Sequence, residues 1–149
     1  MIQLLCMAIH PELTEMVVGS CDHGLQVIDL NKLKKKRELY SKRYGHSEWV
    51  TSVTYTSDGR ILSSGMDSKL CLWDPKAVKC NDLTGHTASV SKVRASSTGS
   101  LAVSASYDKS LIVWNLTNGK SLGTRTTHSL KPFVESNKSD GIACLLDCV

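Results

Sequence analysis

Three residue types that together can hydrolyse an acyl bond recur in this chain at matched spacing. His46, Ser63 and Asp67 form one set, and His86, Ser104 and Asp108 form a second. Serine supplies a nucleophilic oxygen, histidine takes its proton and aspartate orients the imidazole, so either set has the make-up of a hydrolase triad. A tryptophan closes each set, Trp73 for the first and Trp114 for the second. The recurrence points away from catalysis. An enzyme needs one nucleophile, whereas a side chain that returns in each copy of a repeat is an architectural element. A buried carboxylate, imidazole, hydroxyl and indole each require a hydrogen-bond partner, and one closed chain through all four satisfies them together.

The elements that must position these residues follow from the repeat itself. Gly45 to Asp74, GHSEWVTSVTYTSDGRILSSGMDSKLCLWD, returns forty residues later as Gly85 to Asn115, GHTASVSKVRASSTGSLAVSASYDKSLIVWN. The first copy divides into short strands at Val50–Tyr55, Arg60–Ser64 and Lys69–Trp73, with Val53 and Tyr55 facing inward, and Val78–Leu83 as an outer strand. Alternation of Leu70 and Leu72 with Lys69, Cys71 and Trp73 gives the two-residue period of a strand. The second copy predicts Val90–Ala95, Leu101–Ala105 and Leu111–Trp114, then Lys120–Thr126 after the Asn118-Gly119 turn. Upstream, Ile2–Ile9, Met16–Ser20 and Leu25–Asp29 read as strands of a degenerate copy, with a hairpin turn at Cys21 to Gly24. Asp22 precedes Ile28 by six residues, as Asp67 precedes Trp73 and Asp108 precedes Trp114. That copy has Val18 at the serine position, Ile28 at the tryptophan position and no Gly-His, and His10 lies in the wrong turn to replace the histidine. The middle of Asn31–Tyr44 is compatible with a helical turn or with a turn and an edge strand. Ile142–Leu146 is expected as a further inner strand downstream, after Thr127-His128 and Asp140-Gly141.

Four short strands per repeat of about forty residues, opened by Gly-His and closed by Trp-Asp, resemble a blade of the WD-repeat β-propellers. The resemblance covers nearly the whole chain and is strongest from Gly45 to Asn115. It implies an all-β fold of four-stranded antiparallel blades: a degenerate blade over about 1–44, a second over 45–84, a third over 85–126 and a partial fourth over 127–149. About three and a half blades fall short of the roughly four to eight of a closed ring. The chain is then a fragment or truncated product without independent function, or self-associates so that two copies close a ring, or packs on a partner.

The resemblance also assigns roles. Asp67, His46, Ser63 and Trp73, and likewise Asp108, His86, Ser104 and Trp114, become structural hydrogen-bond tetrads. Function moves to the loop-bearing top face, where such proteins bind peptides or other proteins without catalysis. The matching rim positions are Ser47, Trp49 and Met66 in the second blade, Thr87, Ser89 and Tyr107 in the third, and Cys21 in the first. Trp49 and Tyr107 are the strongest anchors, since large aromatics dominate interfaces; the alternative for Trp49 is packing against the neighbouring blade. Ubiquitin-ligase receptors of the family carry Trp-Asp-x-Arg, and here Trp73-Asp74-Pro75-Lys76 and Trp114-Asn115-Leu116-Thr117 lack the arginine.

Composition narrows the remaining classes. Charged residues at 21% and hydrophobic residues at 41% match a globular domain, and no stretch approaches a membrane span. The apolar start, MIQLLCMAI, has neither the basic flank nor the cleavage pattern of a signal peptide. Cys6, Cys21, Cys71, Cys80, Cys144 and Cys148 follow no zinc-type pairing, which suggests free thiols in the cytoplasm or nucleus. No cofactor, phosphate loop or metal-ligand cluster is evident. The net charge of +4 is uneven: Lys32, Lys34, Lys35, Lys36, Arg37, Lys42 and Arg43, offset by Glu38 alone, give that segment +6 and leave −2 for the rest of the chain. This segment is either a solvated edge strand protected by lysines or a patch for nucleic acid or an anionic surface.

Overall fold

The computed structural model describes residues 3–126. Twelve strands in that range make three four-stranded sheets, and no helix is present among the described residues. The first sheet contains β1 (Leu4–Ile9), β2 (Glu15–Ser20), β3 (Leu25–Asp29) and β4 (Lys34–Leu39). The second contains β5 (Val50–Tyr55), β6 (Ile61–Gly65), β7 (Lys69–Trp73) and β8 (Cys80–Thr84). The third contains β9 (Val90–Ala95), β10 (Leu101–Ser106), β11 (Ser110–Asn115) and β12 (Lys120–Thr126). Each is an antiparallel meander in chain order, with β1, β5 and β9 on the inner edge and β4, β8 and β12 on the outer. These are propeller blades, and among the described residues they do not close into a ring.

The alternation read from the sequence now has two destinations. Ile61, Cys71 and Trp73 of the second blade pack with Val17, Leu25, Val27 and Leu39 of the first. Leu62, Leu70, Leu72 and Leu83, on the opposite face, pack with Val90, Val93, Ile112 and Trp114 of the third. A blade between two neighbours is thus apolar on both faces, which is why β6 is buried along its whole length. Arg60 crosses the second interface below the sheets, donating from Nη1 to Leu116 O at 2.8 Å while its Nε binds Asp58 at 2.7 Å.

The expected strands are displaced at several ends. The outer strand of the second blade is Cys80–Thr84 and not Val78–Leu83: Asp74 N bonds Lys79 O at 2.9 Å, so Val78 remains in the exposed turn. Ile61–Gly65 and Ser110–Asn115 replace the expected Arg60–Ser64 and Leu111–Trp114. The basic segment contains the edge strand Lys34–Leu39 and no helical turn. Ile2, Ile142–Leu146 and the expected partial fourth blade lie outside the described residues.

At the turn after the inner strand, backbone strain falls on the degenerate blade alone among the three described. The turn after the inner strand places Gly59 at φ 80° and Gly99 at φ 71°, and each N–H donates three residues back at 3.0 Å. The corresponding residue of the first blade is Leu13, at φ 57°, with its N–H on His10 O at 2.8 Å. A left-handed conformation costs a side-chain-bearing residue about 1–2 kcal/mol, and Leu13 is 69% exposed, so packing returns little. Allowing for the extra freedom glycine gives the unfolded chain, Leu13→Gly should stabilise the protein by about 0.5–1 kcal/mol. Urea denaturation measures this, and a lowered midpoint would contradict the strain argument.

Candidate functional site: buried tetrads and the rim above them

In the second blade Trp73 Nε1 donates to Ser63 Oγ at 2.9 Å, and Ser63 Oγ lies 2.8 Å from His46 Nε2. His46 Nδ1 lies 2.9 Å from Asp67 Oδ1 and 3.0 Å from Oδ2. The ionised carboxylate is an acceptor only, so Nδ1 carries the proton and Nε2 accepts from the hydroxyl. The direction of donation is fixed: indole to hydroxyl to imidazole to carboxylate. Asp67 Oδ2 accepts in addition from Ser47 N at 2.9 Å.

The third blade repeats the chain. Trp114 Nε1 donates to Ser104 Oγ at 2.8 Å, Ser104 Oγ lies 2.7 Å from His86 Nε2, and His86 Nδ1 lies 2.8 Å from Asp108 Oδ2. Thr87 N donates to Asp108 at 3.0 Å, and Ser110 Oγ binds the other carboxylate oxygen at 2.6 Å. Each Asp therefore ties the top of an inner strand to the turn between its second and third strands. The residue after it is left-handed in both blades, Ser68 at φ 61° and Lys109 at φ 65°. Gly65 is required here, because a Cβ would stand 2.5 Å from His46 Nδ1 and 2.6 Å from Asp67 Oδ1.

These distances are those of a catalytic triad, but access is not. Ser63 is 0% exposed and Ser104 is 1% exposed, and each oxygen already accepts an indole N–H. An acyl carbon has no open approach to either hydroxyl. In the first blade Asp22 accepts instead from Ser20 Oγ and Gly24 N within its own turn. His10 stacks edge-on against Tyr55, with ring centroids 5.0 Å apart.

The large residues expected at the rim are exposed in the structure. Trp49, Met66 and Tyr107 are 44%, 43% and 75% exposed. Hydrogen bonds link the turns that carry them: Met66 N donates to Trp49 O at 2.9 Å and Tyr107 N to Ser89 O at 3.0 Å within each blade, and the Ser89 side-chain Oγ donates to Met66 O at 3.2 Å between the blades. Ser47 and Thr87 are exposed, with their N–H groups held by the tetrad carboxylates. Cys21 is half-buried at the corresponding turn of the first blade.

The basic segment is partly neutralised. Lys36 Nζ lies 2.7 Å from Glu15 Oε2, Arg37 lies 3.7 Å from Oε1 of the same residue, and Lys35 pairs with Glu38. Lys32, Lys34 and Lys42 are exposed, and Arg43 lies 5.6 Å from the centroid of the Tyr44 ring. Glu15 is buried and also accepts from Tyr55 Oη of the second blade at 3.3 Å. Burial opposes its ionisation, but Lys36, Arg37 and Tyr55 outweigh that and hold it below the ordinary carboxylate range. The sequence pattern gave no sign of this inter-blade cluster, because Glu15 stands at the edge of an apolar run and its partners come from β4 and β5.

Pairing of β7 with β8 also assembles a group that spacing did not suggest. Cys71, Cys80 and Asp82 offer ligand atoms that all lie within 4.8 Å of one another. Both thiols donate to Asp82 Oδ1, and the proximity of Cys80 together with burial pushes the Cys71 thiol up.

Stacked four-stranded meanders carrying this indole-to-carboxylate chain define a propeller-blade repeat, and comparison with known proteins agrees. The model of the WD domain, G-beta repeat, matches residues 37–74 and 77–115. The chain belongs to the WD-repeat family. Both matched units begin in or just before an outer strand and end at or just after the third strand of the next sheet, so the sequence repeat is offset from the blade by one strand. A p21-activated protein kinase-interacting protein 1-like protein of Gallus gallus is 29% identical over 71% of this chain and 28% of its own length. Small ribosomal subunit protein RACK1 of Caenorhabditis elegans is 36% identical over 60% of this chain and 31% of its own. Nuclear distribution protein nudF 1 of Talaromyces marneffei is 34% identical over 83% of this chain and 27% of its own. The chain thus spans less than a third of the length of these relatives.

Removing one tetrad member leaves buried partners unpaired. Asp67→Ala should cost on the order of 1–3 kcal/mol in thermal or urea denaturation. Burial raises the pKa of Asp67, but His46, Ser47 N–H and Lys69 outweigh it, and the net displacement is downward. Asp108 is also displaced downward: burial opposes it, and Ser110, Thr87 N–H and His86 prevail. Groups depressed on folding stabilise fully above the unfolded carboxylate value of about 3.9 and lose that contribution as pH falls through the folded value. Stability should therefore fall below about pH 4, and less steeply in Asp67→Asn; an acid titration followed by circular dichroism reads both.

Proposed function

We propose that this chain supplies blades to a non-catalytic WD-repeat platform that binds another protein or peptide at the rim around Trp49, Met66 and Tyr107. One observation carries the reading. Three large side chains stand exposed on adjoining turns that are hydrogen-bonded within each blade through the backbone and between the two blades through the Ser89 hydroxyl. The turns that carry them are held by hydrogen bonds, so an incoming partner gains the desolvation of three large side chains with little reordering of the loops. Ser47, Thr87 and Ser89 supply polar groups at the margin of the patch. The buried tetrad hydroxyls favour a structural role for the Ser-His-Asp sets over hydrolysis. The relatives named for a kinase-interacting protein and a ribosomal subunit protein are consistent with work inside larger assemblies.

The chain's four described free cysteines, Cys6, Cys21, Cys71 and Cys80, favour a reducing compartment, cytoplasm or nucleus. No helix of the described residues is long and apolar enough to cross a membrane. Pairing of Lys35, Lys36 and Arg37 with Glu38 and Glu15 favours an edge-strand role for the basic segment over a nucleic-acid surface.

The test is proximity labelling in the native cell with the wild-type chain and with Trp49→Ala/Tyr107→Ala. The double variant should lose specific partners, with affinity reduced tenfold or more for any partner purified, at unchanged thermal stability. Retention of the same partners at the same affinity removes the rim from consideration.

Among the described residues, two faces of the arc have no neighbouring sheet, and they generate a second prediction. Met7 and Ile9 of the first blade are 67% and 52% exposed beside Val18 and Met16. Val103 and Leu111 of the third are half-buried and face away from the second blade. The first face corresponds to the Trp73-bearing face of the second blade and the other to its Leu62 face, so the two are complementary and favour head-to-tail closure. Light scattering of the purified chain should show a defined assembly that dissociates in Met7→Lys/Ile9→Lys. A wild-type monomer without aggregation would count against closure between copies.

A further inference from the structure

We propose that Cys71, Cys80 and Asp82 form a binding site for a thiophilic divalent cation of the zinc class on the outer half of the second blade. Strands β7 and β8 pair with Cys71 opposite Asp82 and Trp73 opposite Cys80. The two cysteines are therefore diagonal neighbours, and the aspartate lies level with the first of them. Asp82 Oδ1 is 3.6 Å from Cys71 Sγ and 3.5 Å from Cys80 Sγ. A tetrahedral ion with metal–sulfur distances of about 2.3 Å and a metal–oxygen distance of about 2.1 Å requires sulfur–oxygen edges of about 3.6 Å. Both edges match with the side chains where they stand.

The surroundings suit an ion better than a disulfide. Diagonal neighbours in an antiparallel pair have Cα atoms about 7–8 Å apart, beyond the about 4.4–6.8 Å that a disulfide spans. The second oxygen of Asp82 is held by Lys69 Nζ at 2.7 Å, which orients the carboxylate and leaves Oδ1 for the ion. Two thiolates and one carboxylate around a divalent cation carry one net negative charge, and Lys69 cancels it. A neutral cluster is what a half-buried site tolerates. Cys71 is 0% exposed and Cys80 6% exposed, while the Asp82 side chain is 44% exposed. The ion enters from the Asp82 side, both thiols release their protons to solvent, and the fourth position faces water. Soft sulfur donors select zinc-class ions over magnesium or calcium.

The experiment is a Co²⁺ titration of the full chain under a non-thiol reductant, followed by Zn²⁺ displacement. Tetrahedral thiolate–cobalt gives a sulfur-to-metal charge-transfer band and strong visible absorption, and both should saturate at one ion per chain. Cys80→Ser should abolish the spectrum. Asp82→Asn, at an exposed position, should weaken binding at least tenfold while metal-free thermal unfolding stays unchanged. The Cys21→Ser/Cys144→Ser/Cys148→Ser variant should bind as the wild type does. The proposal fails if the wild type gives no charge-transfer band, if the band survives Cys80→Ser, or if it disappears from the triple variant.

Discussion

The structure depends on one constraint: polar side chains buried between two apolar sheets must satisfy one another. Trp73, Ser63, His46 and Asp67 stand on a face that packs against the first blade, where water is unavailable. An unpaired imidazole or carboxylate there would cost more than the packing around it returns. The four groups solve this as a directed chain that begins at a donor-only indole and ends at an acceptor-only carboxylate. The carboxylate then reaches Ser47 N and the turn beyond β6, so that satisfying the buried groups also fixes the exposed loop. The loop is held from the interior.

The degenerate blade shows what replaces the device. Val18 and Ile28 occupy the serine and tryptophan positions, and no polar chain needs closing. Its Asp22 turns back on Ser20 and Gly24, and its attachment to the second blade comes from Val17, Val27 and Leu39 together with Glu15. Glu15 draws Lys36 and Arg37 of the edge strand and Tyr55 of the next blade into one cluster. A segment that reads as uncompensated positive charge is thus partly internal to the interface. The first blade is held by packing and ion pairs where the others are held by a hydrogen-bond chain.

Much of the fold was legible because the repeat fixes several levels together. A strand period of two, a Gly-His opening, an Asp six residues before Trp and turns at Asp-Gly or Asn-Gly all predict the same blade. Ends were less legible. Val78 has strand propensity, but Asp74 closes a turn onto Lys79 and pairing begins at Cys80. The exposure of Trp49 was equally beyond the sequence, since a tryptophan serves both rims and interfaces and only its neighbours decide.

By itself the sequence determined the blade pattern, the two tetrads and the loss of the third, because these depend on side-chain types at fixed separations along one strand or turn. Tertiary structure decided what depends on register and on neighbouring sheets. It set Cys71 and Cys80 beside Asp82, gave Lys36 and Arg37 to Glu15, and linked the turns of Trp49, Met66, Ser89 and Tyr107. The physical reason is range. Periodicity reports which face a residue takes, and distance between faces is known only once the sheets are packed.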